Sequence, residues 1–288
     1  MITVRGADLR VGARLLLSDV SFHIAPGDRI GLVGRNGTGK TTLLGALAGQ
    51  HQPAAGSVSA TGSVGYLPQD PRAADPDTTV TDRILSARGL DQAVRGLRDA
   101  EAAMADATST TAQRRAMVRY ARAYDEFQAR GAYSGEAEAG RVAAGVGLPV
   151  RVLRQPIGTL SGGQRRRVEL ARILFADHGT LLLDEPTNHL DADSVAWLRT
   201  FLTAHQGGLV VVSHDTTLLA EVVNRVFHVD PQRLTVDVHN TGWQTYLAQR
   251  AADERRRVRE RANAERKAAT LHAQADKMRV SSGTAVAA

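Results

Sequence analysis

Residues 34–41 read Gly-Arg-Asn-Gly-Thr-Gly-Lys-Thr, set between the apolar stretch Arg29–Val33 and the helix-forming stretch Thr41–Ala48. A strand that enters a glycine-rich turn and leaves as a helix has few ways to fold. Small residues let successive backbone N–H groups converge on an anion, and the helix start adds the positive end of its dipole. This phosphate-binding loop assigns Gly34, Asn36, Gly37, Thr38, Gly39, Lys40, Thr41 and Thr42 to a nucleotide. Lys40 would bring a point charge to the β- and γ-phosphates, and the Thr41 hydroxyl would ligate Mg²⁺. Lysine is scarce in this chain, at three residues, and one of them stands here.

The surrounding pattern predicts an α/β fold. Ile2–Arg5, Val20–Ile24, Val58–Ala60 and Val64–Leu67 have strand character, and a Pro/Asp-rich loop, Pro68–Thr78, closes this first block. From Val80 to Leu148 the composition shifts to Ala, Arg, Glu and Asp with apolar residues at helical spacing. That stretch predicts an insertion of two to four helices, broken near Thr108–Thr111 and Gly131–Gly135. Helix returns over Ser161–Ala176, followed by a continuous apolar strand at Thr180–Asp184, a helix at Ala192–Ala204 and a strand at Gly208–Ser213. Strand–helix–strand alternation with apolar strands points to a parallel sheet covered on both faces. Residues 243–282 contain neither Gly nor Pro, longer than a globular helix usually runs, so an extended arm or coiled-coil strand is expected there.

Composition narrows the chemistry. There are no cysteines, which excludes disulfides, thiolate metal sites and a cysteine nucleophile. No stretch approaches the roughly 18 apolar residues needed to span a bilayer, and the first residues lack the apolar core of a secretory signal. A cytoplasmic location fits. Of the net charge of +6, residues 250–279 carry +5, as ten Lys/Arg against five Asp/Glu. A polyanion such as RNA, an anionic membrane surface and an ordinary solvated helix all fit that tail. Arg makes up 33 of the 36 basic residues, so a count of arginines by itself carries little weight.

Leu181-Leu-Leu-Asp-Glu-Pro186 is an apolar strand ending in two carboxylates. Asp184 would hold Mg²⁺, and Glu185 would orient or deprotonate the attacking water. Leu160-Ser-Gly-Gly-Gln164 opens the preceding helix. Its Ser161, Gly163 and Gln164 offer either an N-cap and turn or a second bare N–H surface for an anion.

With these motifs in this order, the chain resembles an ATP-binding-cassette (ABC) ATPase over about residues 1–240. The resemblance implies an ABC-type nucleotide-binding domain with an antiparallel β subdomain, a helical subdomain inserted at about residues 80–148, and a C-terminal linker helix. It adds Gln69, in Tyr-Leu-Pro-Gln-Asp, as a Mg²⁺-sensing glutamine, and His214 as a switch histidine for the γ-phosphate. It makes Asp191 of Pro186-Thr-Asn-His-Leu-Asp191 an acid facing an opposite site. Together, Glu185, His214 and Gln69 form the implied catalytic group, and Thr41, Gln69 and Asp184 the implied metal group. In this family the Leu-Ser-Gly-Gly-Gln of one domain caps the γ-phosphate on the phosphate loop of another. Each motif occurs once here, so a second ABC domain is implied, either in a missing C-terminal half or in a second copy.

Within the family, Asn188-His189 before Asp191, the Gly131-to-Glu136 stretch and the Thr241-to-Tyr246 entry to a basic helix resemble the ABC-F branch. Such proteins are two-domain ATPases acting on ribosomes, as translation factors or in antibiotic resistance. On that reading residues 1–240 are the nucleotide-binding domain, and residues 241–288 begin an interdomain linker directed at rRNA and tRNA. The chain would then be an N-terminal fragment or a single-domain relative. The alternatives are the ATP-binding subunit of a membrane transporter and a binder that turns over no ATP. One departure is that Val11-Gly12 stands where the family often stacks an aromatic on adenine. Modest affinity and limited ATP/GTP discrimination are expected to follow.

Overall fold

The computed structural model describes residues 1–69, 75–256, 259–260, 262–263 and 265–266. The chain divides into two compact units, Met1–Asn240 and Thr241–Ala288.

In the first unit, β1 (Ile2–Val11), β2 (Arg14–Ile24) and β4 (Ala55–Ala60) form an antiparallel sheet in the order β2-β1-β4. A second sheet has the order β5-β6-β7-β3-β8-β9. Its members are β3 (Arg29–Val33), β5 (Val64–Leu67), β6 (Thr180–Asp184), β7 (Gly208–Val212), β8 (Arg225–Asp230) and β9 (Thr235–His239). All pairings in it are parallel except β8 with β9. Strands β6 and β7 are buried at every position, as continuous apolar runs in a covered parallel sheet should be.

Helix α1 (Lys40–Leu47) buries Leu43, Leu44 and Leu47 in one core cluster with residues of both sheets, among them Ile2, Leu17, Ile24, Leu182, Val210 and Phe227. Each such leucine contributes about 1.5–3 kcal/mol. The loop that starts α1 is therefore anchored at its C-terminal side by the core itself.

Four helices make up the insertion: α2 (Val80–Leu85), α3 (Asp91–Ala105), α4 (Thr110–Ala129) and α5 (Ala132–Gly145). The breaks fall close to where the sequence puts them. Ser109 caps α4 by accepting from the Ala112 N–H, and Gly131 takes φ +63° ahead of α5. Helices α6 (Gly162–Phe175), α7 (Ala192–Ala204) and α8 (Thr216–Val222) complete the unit. Glu169 of α6 accepts from Arg83 of α2 at 2.6 Å and from Arg172 at 2.8 Å, which ties the insertion to the core.

Three elements carried no expectation: α8, β8 and β9. Two strands are longer than Ile2–Arg5 and Val20–Ile24 suggest. The β1–β2 register shifts between Val4 and Ala7 and again near Leu9, and these bulges scramble the period-2 pattern on which a strand is read. The helix expected from Ser161 starts at Gly162, with Ser161 as its cap.

In the second unit residues 243–256 are helical, with Trp243 and Tyr246 rings stacked at 5.6 Å and Arg250 donating to the Tyr246 hydroxyl at 2.9 Å. The remaining described positions up to 266 are helical as well. The rest of the expected arm, residues 267–288, lies outside the described residues. No helix among the described residues is long and apolar enough to cross a membrane.

Candidate nucleotide-binding site

Strand β3 ends at Val33, and the chain then needs backbone conformations open mainly to glycine. Gly34, Gly37 and Gly39 have φ of +156°, +74° and +102°. At Gly34 a Cβ would stand 3.0 Å from both the Thr38 hydroxyl and the Val229 carbonyl, so any side chain there would spread the turn. Thr38 is buried and donates to the Arg35 carbonyl at 2.9 Å, locking the loop from inside.

This turn is one wall of a cleft of about 600 Å³. Asn36, Gly37, Gly39, Lys40, Thr41 and Thr42 line it, and so do Gln69, Asp184, Glu185 and His214. Residues nearly 180 positions apart in the chain thus meet because β3, β6 and β7 are neighbours whose C-terminal ends point the same way. Gly34 and Thr38 shape the turn from behind.

Lys40 Nζ donates to the Gly34 and Arg35 carbonyls at 2.9 and 3.0 Å. Burial lowers its pKa, and the nearby Asp184 and Glu185 carboxylates oppose that shift. The Thr41 hydroxyl donates to Asp184 Oδ2 at 2.7 Å. Asp184 is 2% exposed, and with the Gln69 side chain these groups offer hard oxygen donors on one side of the cleft. Such a set suits Mg²⁺, which takes a few protein oxygens and completes its shell with water and phosphate. Among the described residues no group of three or more His, Asp or Glu could hold a metal ion by itself.

Glu185 sits at φ +50° just past the strand, with its N–H donating to the Val212 carbonyl at 2.8 Å. Burial pushes its carboxyl pKa above the usual 4.5, and the hydrogen bond from the His214 N–H to Oε2, at 3.2 Å, pulls the other way. His214 Nε2 lies 3.4 Å from Glu185 Oε1, on a side chain that is 78% exposed. The residue thus meets both oxygens of the carboxylate, one through its backbone and the other through its ring. Tyr66 on β5 has its phenol pKa pushed up to about 12, by burial and then by Asp184.

Ser161, Gly163, Gln164 and Asp191 stand apart from this cleft and line no part of it. Ser161 and Gln164 form a reciprocal capping box: the Gln164 N–H donates to the serine hydroxyl at 3.3 Å, and the Ser161 N–H donates to Gln164 Oε1 at 3.0 Å. Ser161 is exposed, and Gly163 packs by His189. Asp191 caps α7 by accepting from the Ser194 N–H at 2.9 Å, and the Ser194 hydrogen bonds depress its pKa. Within one chain, then, the phosphate loop and the signature loop are two separate surfaces.

Sequence reasoning missed Arg14, Leu16, Asn188 and Val212, which also line the cleft, and it missed Arg166. Val11, 56% exposed, lines the outer part with Arg14 and Leu16. Arg166 carried a legible signal: with Leu170 and Ile173 it follows i, i+4, i+7 spacing, which puts a charge on the buried stripe of α6.

A phosphate-cradling turn after β3, facing two consecutive carboxylates at the end of β6 two places along the same parallel sheet, defines a nucleoside-triphosphate-binding domain. The ABC transporter family profile matches residues 17–188, and the chain belongs to that family of ATP-binding ATPases. Among similar proteins is the tylosin resistance ATP-binding protein TlrC of Streptomyces fradiae, 41% identical over 89% of this chain and 47% of that protein. An antibiotic resistance protein of Mycobacteroides abscessus is 35% identical over 83% of this chain and 44% of that one. The probable ATP-binding protein YheS of Escherichia coli K12 is 34% identical over 81% and 35%. These relatives side with ABC-F-type proteins over transporter subunits. The chain spans less than half the length of each of them. Among solved structures, a dimeric ATP-binding cassette bound to ADP and Pi has a TM-score of 0.59 at 19% identity, over 84% of this chain and 98% of that one. That likeness concerns the fold.

Proposed function

We propose that this chain supplies one ABC domain, residues 1–240, and the start of a linker, residues 241–288, to an ABC-F-type ATPase that works on ribosomes in the cytoplasm, in translation or in antibiotic resistance. The observation that carries the nucleotide reading is the cleft in which Lys40, Thr41, Asp184 and Glu185 converge, with Thr41 and Asp184 in direct hydrogen bond. Support for the ribosomal reading comes from the relatives named for tylosin and antibiotic resistance, and from the net +5 of residues 250–279.

In this reading Gly34 to Thr42 bind the phosphate chain, and Lys40 leaves the Gly34 and Arg35 carbonyls for the phosphates. Thr41, Asp184 and Gln69 would hold Mg²⁺, which would supply positive charge to the phosphate chain. Glu185 takes a proton from the attacking water, and burial, by raising its pKa, makes its carboxylate a stronger base for that work. His214 positions the γ-phosphate. The separation of Ser161, Gly163, Gln164 and Asp191 from the cleft gives them to the facing site of a second ABC domain, in a C-terminal half or a second copy. ATP then favours the closed pair because only that state contacts it from both sides.

Cosedimentation of a Glu185→Gln protein with ribosomes, with and without Mg·ATP, tests this. Nucleotide-dependent retention is the expected result. Equal absence from the ribosome pellet in both conditions would sink the ribosomal assignment.

A further inference from the structure

Arg166 is the one buried arginine of the signature helix, 8% exposed, two residues beyond the motif that ends at Gln164. Its guanidinium makes a fan of bonds to backbone carbonyls. Nη2 donates to the Asp184 carbonyl at 2.8 Å and to the Glu185 carbonyl at 3.1 Å. Nη1 donates to the Gln69 carbonyl and, at 3.4 Å, to that of Pro68. One side chain therefore grips the metal-facing residue, the water-activating residue and the glutamine opposite them, each through the main chain.

We infer that Arg166 is a positioning residue, which fixes the peptides of Asp184, Glu185 and Gln69 at the separation that Mg·ATP requires. The physical case rests on what a buried guanidinium needs. Taking it out of water is costly unless its N–H groups are bonded, and a rigid planar fork can meet several carbonyls at fixed angles. Because the fork is rigid, the carbonyls it holds cannot drift apart without leaving the charge unsolvated. Lysine could offer one point charge and glutamine one short amide, so neither spans both loops.

Its location gives the residue a second property. Arg166 rides on α6, whose N-terminus carries Ser161, Gly163 and Gln164, the residues that the proposed function gives to a facing domain. Contact made at that first turn is then transmitted, one turn later, to the strand end and loop of the chain's own cleft. Rotation of α6 by a facing partner would move Asp184, Glu185 and Gln69 together.

This inference rests on the Mg·ATP reading of the cleft, and the test separates the two. The 288-residue chain is compared with Arg166→Gln and Arg166→Met, using a fluorescent ATP analogue titrated without and then with Mg²⁺. Turnover is followed at protein concentrations high enough for pairing, and thermal melting reports folding. The expected result for Arg166→Gln is metal-free nucleotide affinity within about twofold of the parent, with a Mg²⁺ midpoint raised about tenfold. The kcat falls by a similar factor while KM barely moves.

An unchanged Mg²⁺ midpoint and kcat in a folded variant would overturn the inference and leave the cleft assignment intact. So would losses that disappear on cooling in step with recovery of the folded fraction, since those mark a purely structural arginine. A parent chain that shows no Mg²⁺-dependent tightening would overturn the reading of the cleft and the inference with it. Should Arg166→Met fail to fold, Arg166→Gln alone decides.

Discussion

Glu185 shows how one position can set both chemistry and stability. Burial raises its pKa above 4.5, so the folded chain binds a proton there more readily than the unfolded chain does. The stability this group contributes is full at low pH and is lost as pH rises through the raised value. A Glu185→Gln variant is therefore expected to melt higher than the parent at pH 7, with the difference vanishing below pH 4; melting curves across pH 4–8 check this. The same variant should lose turnover by about 100-fold, and the parent's acid limb should lie above the ordinary glutamate range. A parent rate that is flat down to pH 4.5 would contradict the assignment of Glu185 as base. The outer cleft offers another test. Val11 gives a base only apolar contact, so Val11→Tyr should tighten ATP binding about fivefold through about 1 kcal/mol of stacking. Competition by ATP and GTP in the parent should be nearly equal, and strong ATP preference would speak against this account of the position.

At the level of elements, legibility follows locality. Strands β6 and β7 could be read because continuous burial imposes continuous apolar sequence, and the breaks around α4 because Ser109 and Gly131 act on their own neighbours. The ends of β1 and β2 were hidden by bulges, and β9 by its half-buried edge pattern of mixed polar and apolar residues. In the site, the loop from Gly34 to Thr41 and the Asp184–Glu185 pair were legible as contiguous motifs. The buried stripe of α6 marked Arg166 as unusual, but not its role, since the Pro68 and Gln69 carbonyls that it meets lie nearly 100 positions away. Two substitutions test the elements. Ser161→Ala removes the α6 cap and should cost about 1 kcal/mol in urea unfolding. If Ser161 also meets a facing phosphate, turnover must fall further than that loss explains. A Cβ on Gly145 would stand 2.1 Å from the Trp197 ring, so Gly145→Ala should destabilise the α5–α7 contact by about 2 kcal/mol.

For the whole molecule, the decisive feature is the division of labour between surfaces. The cleft holds the phosphate loop, both carboxylates, Gln69 and His214, while Ser161, Gly163, Gln164 and Asp191 face elsewhere. On the proposed reading, such a chain is half of two sites. Its turnover should rise faster than linearly with protein concentration, and a strictly linear dependence would argue against pairing. All of this presupposes that nucleotide lodges where Lys40 stands. The most direct measurement is equilibrium binding of a fluorescent ATP analogue with Mg²⁺ to the parent chain and to Lys40→Ala. Loss of a charge-assisted bond of about 1.5–3 kcal/mol predicts binding weakened by at least about tenfold. Equal affinity in the two proteins would contradict the account at its centre.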